Sequence, residues 1–187
     1  MVVFTIRKTK GIVLIALFAA LTAAGAFLKI PVPVVPFTLQ FLFTTLAGIL
    51  LGGKRGALSV ACYIVLGLLG LPVFSGGGGI AYVLQPTFGY LLGFCAGAFV
   101  TGQIAHRVSA PSVKRLLAAN FAGLVLVYCF GMAYYWAIYQ FYIGTGIGFW
   151  TLFLYCFLLA VPGDIVLCIV AALLGRRLIP ILRKGKG

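Results

Sequence analysis

The sequence predicts an all-α polytopic membrane protein, with six transmembrane helices, both termini in the cytoplasm, and a single domain over residues 1–187. Three observations predict it. First, 64% of the 187 residues are hydrophobic and only 8% are charged, too few charges to cover a soluble domain of this size. Second, several apolar stretches reach the roughly 18–20 residues that cross a hydrocarbon layer of about 30 Å. Third, the cations sit at the ends of those stretches, and alternate ends differ sharply.

The first span is expected at residues 11–28. The segment RKTKGIVLIALFAALTAAGA has the basic head and apolar run of a secretory signal. Its apolar run is longer than a usual signal core and further spans follow, so it reads as the first helix. Ala16, Ala20 and Ala24 recur at four-residue spacing, as do Ala19 and Ala23. Such small-residue rows let a second helix approach closely, within the chain or from a partner.

The second span, at residues 37–51, is short and flanked by glycine and proline. Three prolines in IPVPVVPFTLQ fix an extended lead-in, so a helix starts at Phe37 or later. Thr38 and Gln40 then place polar groups just inside the outer face. The third and fourth spans are expected at residues 56–71 and 87–105. QPTFGY opens the fourth with a further polar cluster, including Gln85, Thr87 and Tyr90. The fifth and sixth are expected at residues 116–142 and 149–175.

The positive-inside rule orients these spans. Arg7, Lys8 and Lys10 precede the first; Lys54 and Arg55 follow the second; Arg107, Lys114 and Arg115 follow the fourth. Arg176, Arg177, Arg183, Lys184 and Lys186 end the chain, and Lys29 is the only cation on the opposite side. Topology therefore accounts for the net charge of +13, and no nucleic-acid partner is needed. The opposite side instead carries KIPVPVVP, PVFSGGGGIAYVLQP and IGTGIG, nearly uncharged loops suited to folding back over a cavity.

Asp164, in AVPGDIVL, is the only Asp or Glu of the chain. An intramembrane acid is costly and normally faces a protein cavity. Pro162 suits the first turn of a helix, which places Asp164 in that turn, near the positive helix end. The last span is therefore expected to begin or break at Pro162. Asp164 then lies about twelve residues, or ~18 Å of helix, from Arg176, in the outer half. Its oxygens would accept hydrogen bonds from a ligand carrying N–H groups.

Enzymatic readings fail on the residue inventory. An intramembrane aspartyl protease needs two carboxylates, and the single histidine, His106, lies among cations. Gly48 to Arg55 approaches a phosphate-binding loop but has Arg55 where Ser or Thr is required, and no strand precedes it. The run from Gly76 to Ala81 fits G-x-G-x-x-A on paper, again without a strand. Five cysteines are scattered singly and read as small packing residues, so no metal site and no cofactor is expected.

IPVPVVPFTLQ, GLPVFSGGGG, PTFGYLLGF and VPGD, in this order and spacing, resemble the BioY family, the biotin-binding S-components of energy-coupling factor (ECF) transporters. The resemblance covers about residues 11–183. It implies a six-helix subunit of the cytoplasmic membrane that captures biotin from outside. It also implies a partner module of one transmembrane coupling protein and two ATPases. Asp164 matches the family's acidic site residue and would accept from the ureido N–H groups. Thr38, Gln40, Thr87 and Tyr90 match motif positions near the site, and Phe37 with the Gly-rich loop would close over the apolar part of biotin. Ala16 and Ala20 match the docking face for the coupling protein. Three positions depart from the family pattern: Leu167 replaces a lysine three residues after the acid, Phe88 replaces a glycine, and Gln85 replaces a glycine. Lys29 is the outer cation that would supply the missing charge, besides its simpler role of snorkelling to the interface. Three other readings stand beside this one: a solitary biotin carrier, a subunit for another vitamin, and a structural membrane protein without a ligand.

Overall fold

The computed structural model describes the backbone of residues 2–30 and 37–184 and the side chains of residues 9–29 and 38–182. Helix α1 spans Val2–Phe27. A hairpin follows, its strands β1 (Lys29–Ile30) and β2 (Phe37–Thr38) paired antiparallel with Lys29 opposite Thr38. Then come α2 (Gln40–Leu51), α3 (Gly53–Leu68) and a short 3-10 turn over Ile80–Leu84. Helix α4 (Phe88–Ala105) and α5 (Val113–Ala137) follow, the latter continuing as a π-helical end over Ile138–Ile143. The last apolar stretch is divided into α6 (Phe149–Phe153), a π segment (Leu154–Leu158) and α7 (Val161–Lys184).

Four helical stretches are long and apolar enough to cross a membrane: Thr9–Phe27, Phe88–Ala105, Val113–Ile143 and Phe149–Leu182. They coincide with the first, fourth, fifth and sixth expected spans. The other two are shorter, with 12 residues in α2 and 16 in α3. At 1.5 Å per residue these reach about 18 and 24 Å. The reason is a corner without a loop. Gly52, at φ +87°, ends α2 and Gly53 begins α3. A side chain is disfavoured in that left-handed conformation, so glycine lets the chain reverse within one residue.

The exterior is apolar. Ile12, Val13, Leu58, Val65, Leu69, Val125, Phe141, Phe149, Trp150 and Val166 are among the large side chains left exposed. Such surface belongs in lipid rather than water. The interior carries the polar residues instead: Thr22, Thr44, Thr45, Ser59, Thr101, Asn120 and Asp164 are all buried. The hydroxyls of Thr22, Ser59 and Thr101 bond backbone carbonyls at 2.7–3.1 Å.

Helix α4 sits between the α2–α3 pair and α5, and glycines let it do so. Gly89, Gly93 and Gly97 form a four-residue row against α5, where Gly93 faces the backbone of Val127 and Gly97 that of Gly123. On its other side Gly102 abuts Gly53. Without a hydrophobic drive between helices in lipid, such close backbone approach supplies the packing. A methyl at Gly93 would fall 2.8 Å from the Val127 Cα and carbonyl oxygen, and backbone cannot rotate aside. Gly93→Val is therefore expected to lower stability by roughly 1–3 kcal/mol, the cost of overpacking, read as the thermal midpoint in detergent. An unchanged midpoint would contradict this packing.

Arg55, His106 and Arg115 lie together at one end of the bundle. The Arg55 guanidinium lies over Gly11, the His106 ring lies over Gly52, and Gly175 packs on Ile49 and Leu116. His106 Nε2 bonds the Ile49 carbonyl at 2.8 Å and Arg115 Nε donates to the Ile104 carbonyl at 3.0 Å. The first turn of α7, the start of α4 and the start of α2 lie at the other end.

Candidate functional site

The sixth stretch breaks where Pro162 predicted. The helix widens over Leu154–Leu158, turns at Leu159 and Ala160, and resumes at Val161, with Asp164 in the first turn of α7. Tyr90 of α4 supports the widened segment, its hydroxyl donating to the Cys156 carbonyl at 2.8 Å. Irregular backbone at membrane depth requires such a partner. Asp164 is 9% exposed, and Tyr128 of α5 donates its hydroxyl to Oδ2 at 2.5 Å.

Asp164 opens onto a cavity of about 60 Å³, well above the ~10–15 Å³ that admits one water. Its polar lining is Thr38, Gln40, Ser75, Thr87, Tyr128 and Asp164; Phe41, Tyr82, Tyr90, Leu91, Phe94, Val127 and Ala160 make the apolar walls. No Lys, Arg or His lines it among the described residues. One acid facing apolar and aromatic walls suits a compact ligand that is itself largely apolar and carries hydrogen-bond donors.

The opposite wall is a chain of hydrogen bonds. Thr38 donates from Oγ1 to Gln40 Oε1 at 3.2 Å, and Gln40 Nε2 donates to the Tyr63 hydroxyl at 2.7 Å. Tyr63 in turn donates to the Val73 carbonyl at 3.2 Å. Val73 belongs to the Gly-rich segment after α3. In that segment Phe74 and Gly77 bridge one another through both backbone bonds, and Ser75 reaches the cavity.

The structure thus gathers Thr38, Gln40, Thr87, Tyr90 and Asp164 around one space. Tyr90 contributes its ring rather than its hydroxyl, which is committed to Cys156. Gln85 is not among the lining residues; it ends the 3-10 turn and is exposed. Lys29 is exposed and does not line the cavity; its Nζ donates to the Ser75 carbonyl at 3.0 Å, tying the hairpin to the Gly-rich segment. The side chain of Phe37 lies outside the described residues, as do residues 31–36. The loop IGTGIG does not line the cavity. Leu167, which stands where the family lysine was expected, is buried in the apolar core, and Phe88 packs on Tyr134.

Sequence reasoning missed Tyr63, Ser75, Tyr82, Phe94 and Tyr128. Phe94, Tyr82 and Tyr128 lie in apolar runs where an aromatic carries no positional signal. Only the fold brings Tyr128 across 36 residues to Asp164. Among the described residues no group of three or more His, Cys, Asp or Glu could hold a metal ion.

An apolar-sided helical bundle with a carboxylate-centred cavity at the end away from Arg55, His106 and Arg115 defines a membrane-embedded protein that binds a small molecule. The model described as the BioY family matches residues 2–184, and the chain belongs to that family. It is 46% identical over 180 residues to the probable biotin transporter BioY of Lysinibacillus sphaericus, covering 96% of this chain and 92% of that one. It is 39% identical over 183 residues to the biotin transporter BioY of Rhizobium etli, covering 90% and 92%. The crystal structure of the S-component for biotin from an ECF-type ABC transporter superposes with a TM-score of 0.79 at 29% identity, covering 92% of each chain. The relatives are transporters, and catalysis has no part in the reading of the site.

Proposed function

We propose that this protein captures biotin from outside the cytoplasmic membrane as the substrate-binding subunit of an ECF-type transporter. The observation that carries the proposal is Asp164. The only acid of the chain is held in a cavity whose described lining has no cation, with Tyr128 as its one hydrogen-bonding side chain. Biotin supplies the complementary groups: two ureido N–H donors on a compact bicyclic body, and a carboxylate tail that this acid would repel from the deep end. Asp164 accepts from the ureido N–H groups, Thr38, Gln40 and Thr87 offer further polar contacts, and the aromatic walls cover the sulfur ring. The tail points toward the mouth, where Lys29 lies on the hairpin. The Gly-rich segment closes over the ring.

The single domain crosses the membrane six times, α2 and α3 crossing with locally thinned lipid. The cationic end faces the cytoplasm, which puts the cavity in the outer half. The exposed Ala16 and Ala20 on α1 meet the transmembrane coupling protein, and two ATPases supply the energy.

Equilibrium binding of radiolabelled biotin to purified protein tests the first claim. Saturable binding near one biotin per chain, not displaced by other vitamins in excess, is expected; no saturable binding would overturn it. Uptake by cells with and without an ECF module separates a subunit from a solitary carrier.

A further inference from the structure

We propose that Tyr63 is a positioning residue that couples the seat of the Gly-rich segment to the orientation of the Gln40 amide, so that the cavity presents its ligand-binding pattern only when that segment is in place. The inference rests on the biotin-capture reading of the same cavity.

The Val73 carbonyl can only accept, so the Tyr63 hydroxyl, 3.2 Å away, must give it the proton. The hydroxyl has then spent its only hydrogen and can meet Gln40 solely as an acceptor. The Gln40 atom at 2.7 Å must therefore be the amide nitrogen, which turns the amide oxygen toward Thr38. A main-chain oxygen of the Gly-rich segment thus dictates, through one phenol, which end of a cavity-lining amide faces which way. When the segment lifts, the Tyr63 proton is released to turn toward Gln40, and the opposite amide orientation becomes equally satisfied.

The rest of the local structure suits this role. Tyr63 is 1% exposed and belongs to α3, so it is a fixed pivot. Its ring packs edge-on against Phe74 at 5.4 Å, and Phe74 packs on Tyr82, which lines the cavity, at 4.5 Å. Outside this relay the segment is held by Gly79 N–H to the Gly67 carbonyl at 2.7 Å, Leu71 N–H to the Leu66 carbonyl at 3.3 Å, Lys29 to the Ser75 carbonyl, and a 3.4 Å hydroxyl pair of Ser75 with Tyr82. Residues 73–75 therefore meet the relay through the Val73 carbonyl and the Phe74 ring, and the cavity through Ser75.

Amide hydrogen exchange across residues 71–79, together with biotin affinity, tests the coupling in Tyr63→Phe. The phenylalanine keeps the ring packing and deletes both relay bonds. Exchange without ligand is expected to quicken in the variant, and affinity to fall roughly tenfold, the scale of one buried hydrogen bond. Biotin should slow exchange of the segment strongly in the wild-type protein and little in the variant. A merely structural role would change the melting temperature but leave the ligand-dependent protection intact. A folded variant with wild-type affinity and full protection would overturn the proposal. If the variant does not fold, Lys29→Ala frees the segment from its exposed side. Affinity for biotin amide, which has no charged tail, should then fall in proportion to the seated population that the ligand-free exchange rates show to be lost. A substantial loss of seated population with unchanged affinity overturns the coupling. Wild-type protein that does not bind biotin defeats the capture reading alone, because ligand-free exchange in Tyr63→Phe still tests the relay.

Discussion

Asp164→Asn is expected to raise the dissociation constant for biotin by roughly 100- to 1,000-fold, about 3–4 kcal/mol, while leaving the bundle folded. The estimate combines two losses. A carboxylate accepting from N–H groups makes charge-assisted bonds, about twice as strong as neutral ones. The amide also cannot satisfy both sides. Its oxygen is drawn to the Tyr128 hydroxyl, which donates to Oδ2 in the native protein. Its NH2 group then faces the ligand's own N–H groups, donor against donor in a buried site. The change is isosteric and removes an expensive buried charge, so the fold is not at risk. Equilibrium binding to purified variant, with size-exclusion and thermal melting as controls, measures it. Retained wild-type affinity would remove Asp164 from the site.

Replacing Ala16 and Ala20 together by Trp is expected to reduce ECF-dependent biotin uptake to below roughly a tenth of wild type, without changing biotin binding. Both alanines are exposed one turn apart on α1, beside the exposed Val13 and Leu17. Ala19 on the other side of the helix is buried in the core. The row therefore splits into a face that packs the bundle and a face available to a partner. Close helix approach tolerates no large side chain, whereas a lipid-facing surface does. Val125→Trp, at a 60% exposed position on α5, is the matched control and should leave uptake intact. Equal uptake in the alanine variant and the wild type would remove that face from docking.

The fold was legible because its signals are long and redundant. Apolar length, small-residue rows and the alternation of cations located four stretches that recur as long apolar helices. The α2–α3 corner was less legible. Gly52, Gly53, Lys54 and Arg55 separate the two apolar runs, yet the reversal takes one residue and α3 already begins at Gly53. The break before Asp164 was readable from Pro162, since proline restricts where a helix can start. Its π-helical widening was not, because that depends on Tyr90 reaching the Cys156 carbonyl from another helix.

The candidate site divides in the same way. Asp164, Thr38 and Gln40 stand out as polar residues in apolar company, and solvation cost alone marks them. Tyr63 and Tyr128 escape notice because tyrosine is at ease in a membrane protein, and its role depends on what its hydroxyl meets. Gln85 shows the converse error. It is one proline away from Thr87, yet the end of the 3-10 turn leaves it exposed while Thr87 lines the cavity. Proximity along the chain is a poor guide where a turn decides direction.

The central claim is that the lone acid of this chain holds the hydrogen-bond donors of the transported molecule. The most direct test pairs a change in the protein with a change in the ligand. Affinities of wild-type protein and Asp164→Asn are measured for biotin and for biotin methylated at the ureido nitrogens. The account predicts that methylation costs the wild-type protein roughly a hundredfold or more, and that the same methylation costs the variant far less, because the partner of those N–H groups is already gone. Equal penalties in the two proteins would mean that Asp164 and the ureido ring never meet, and would contradict the account.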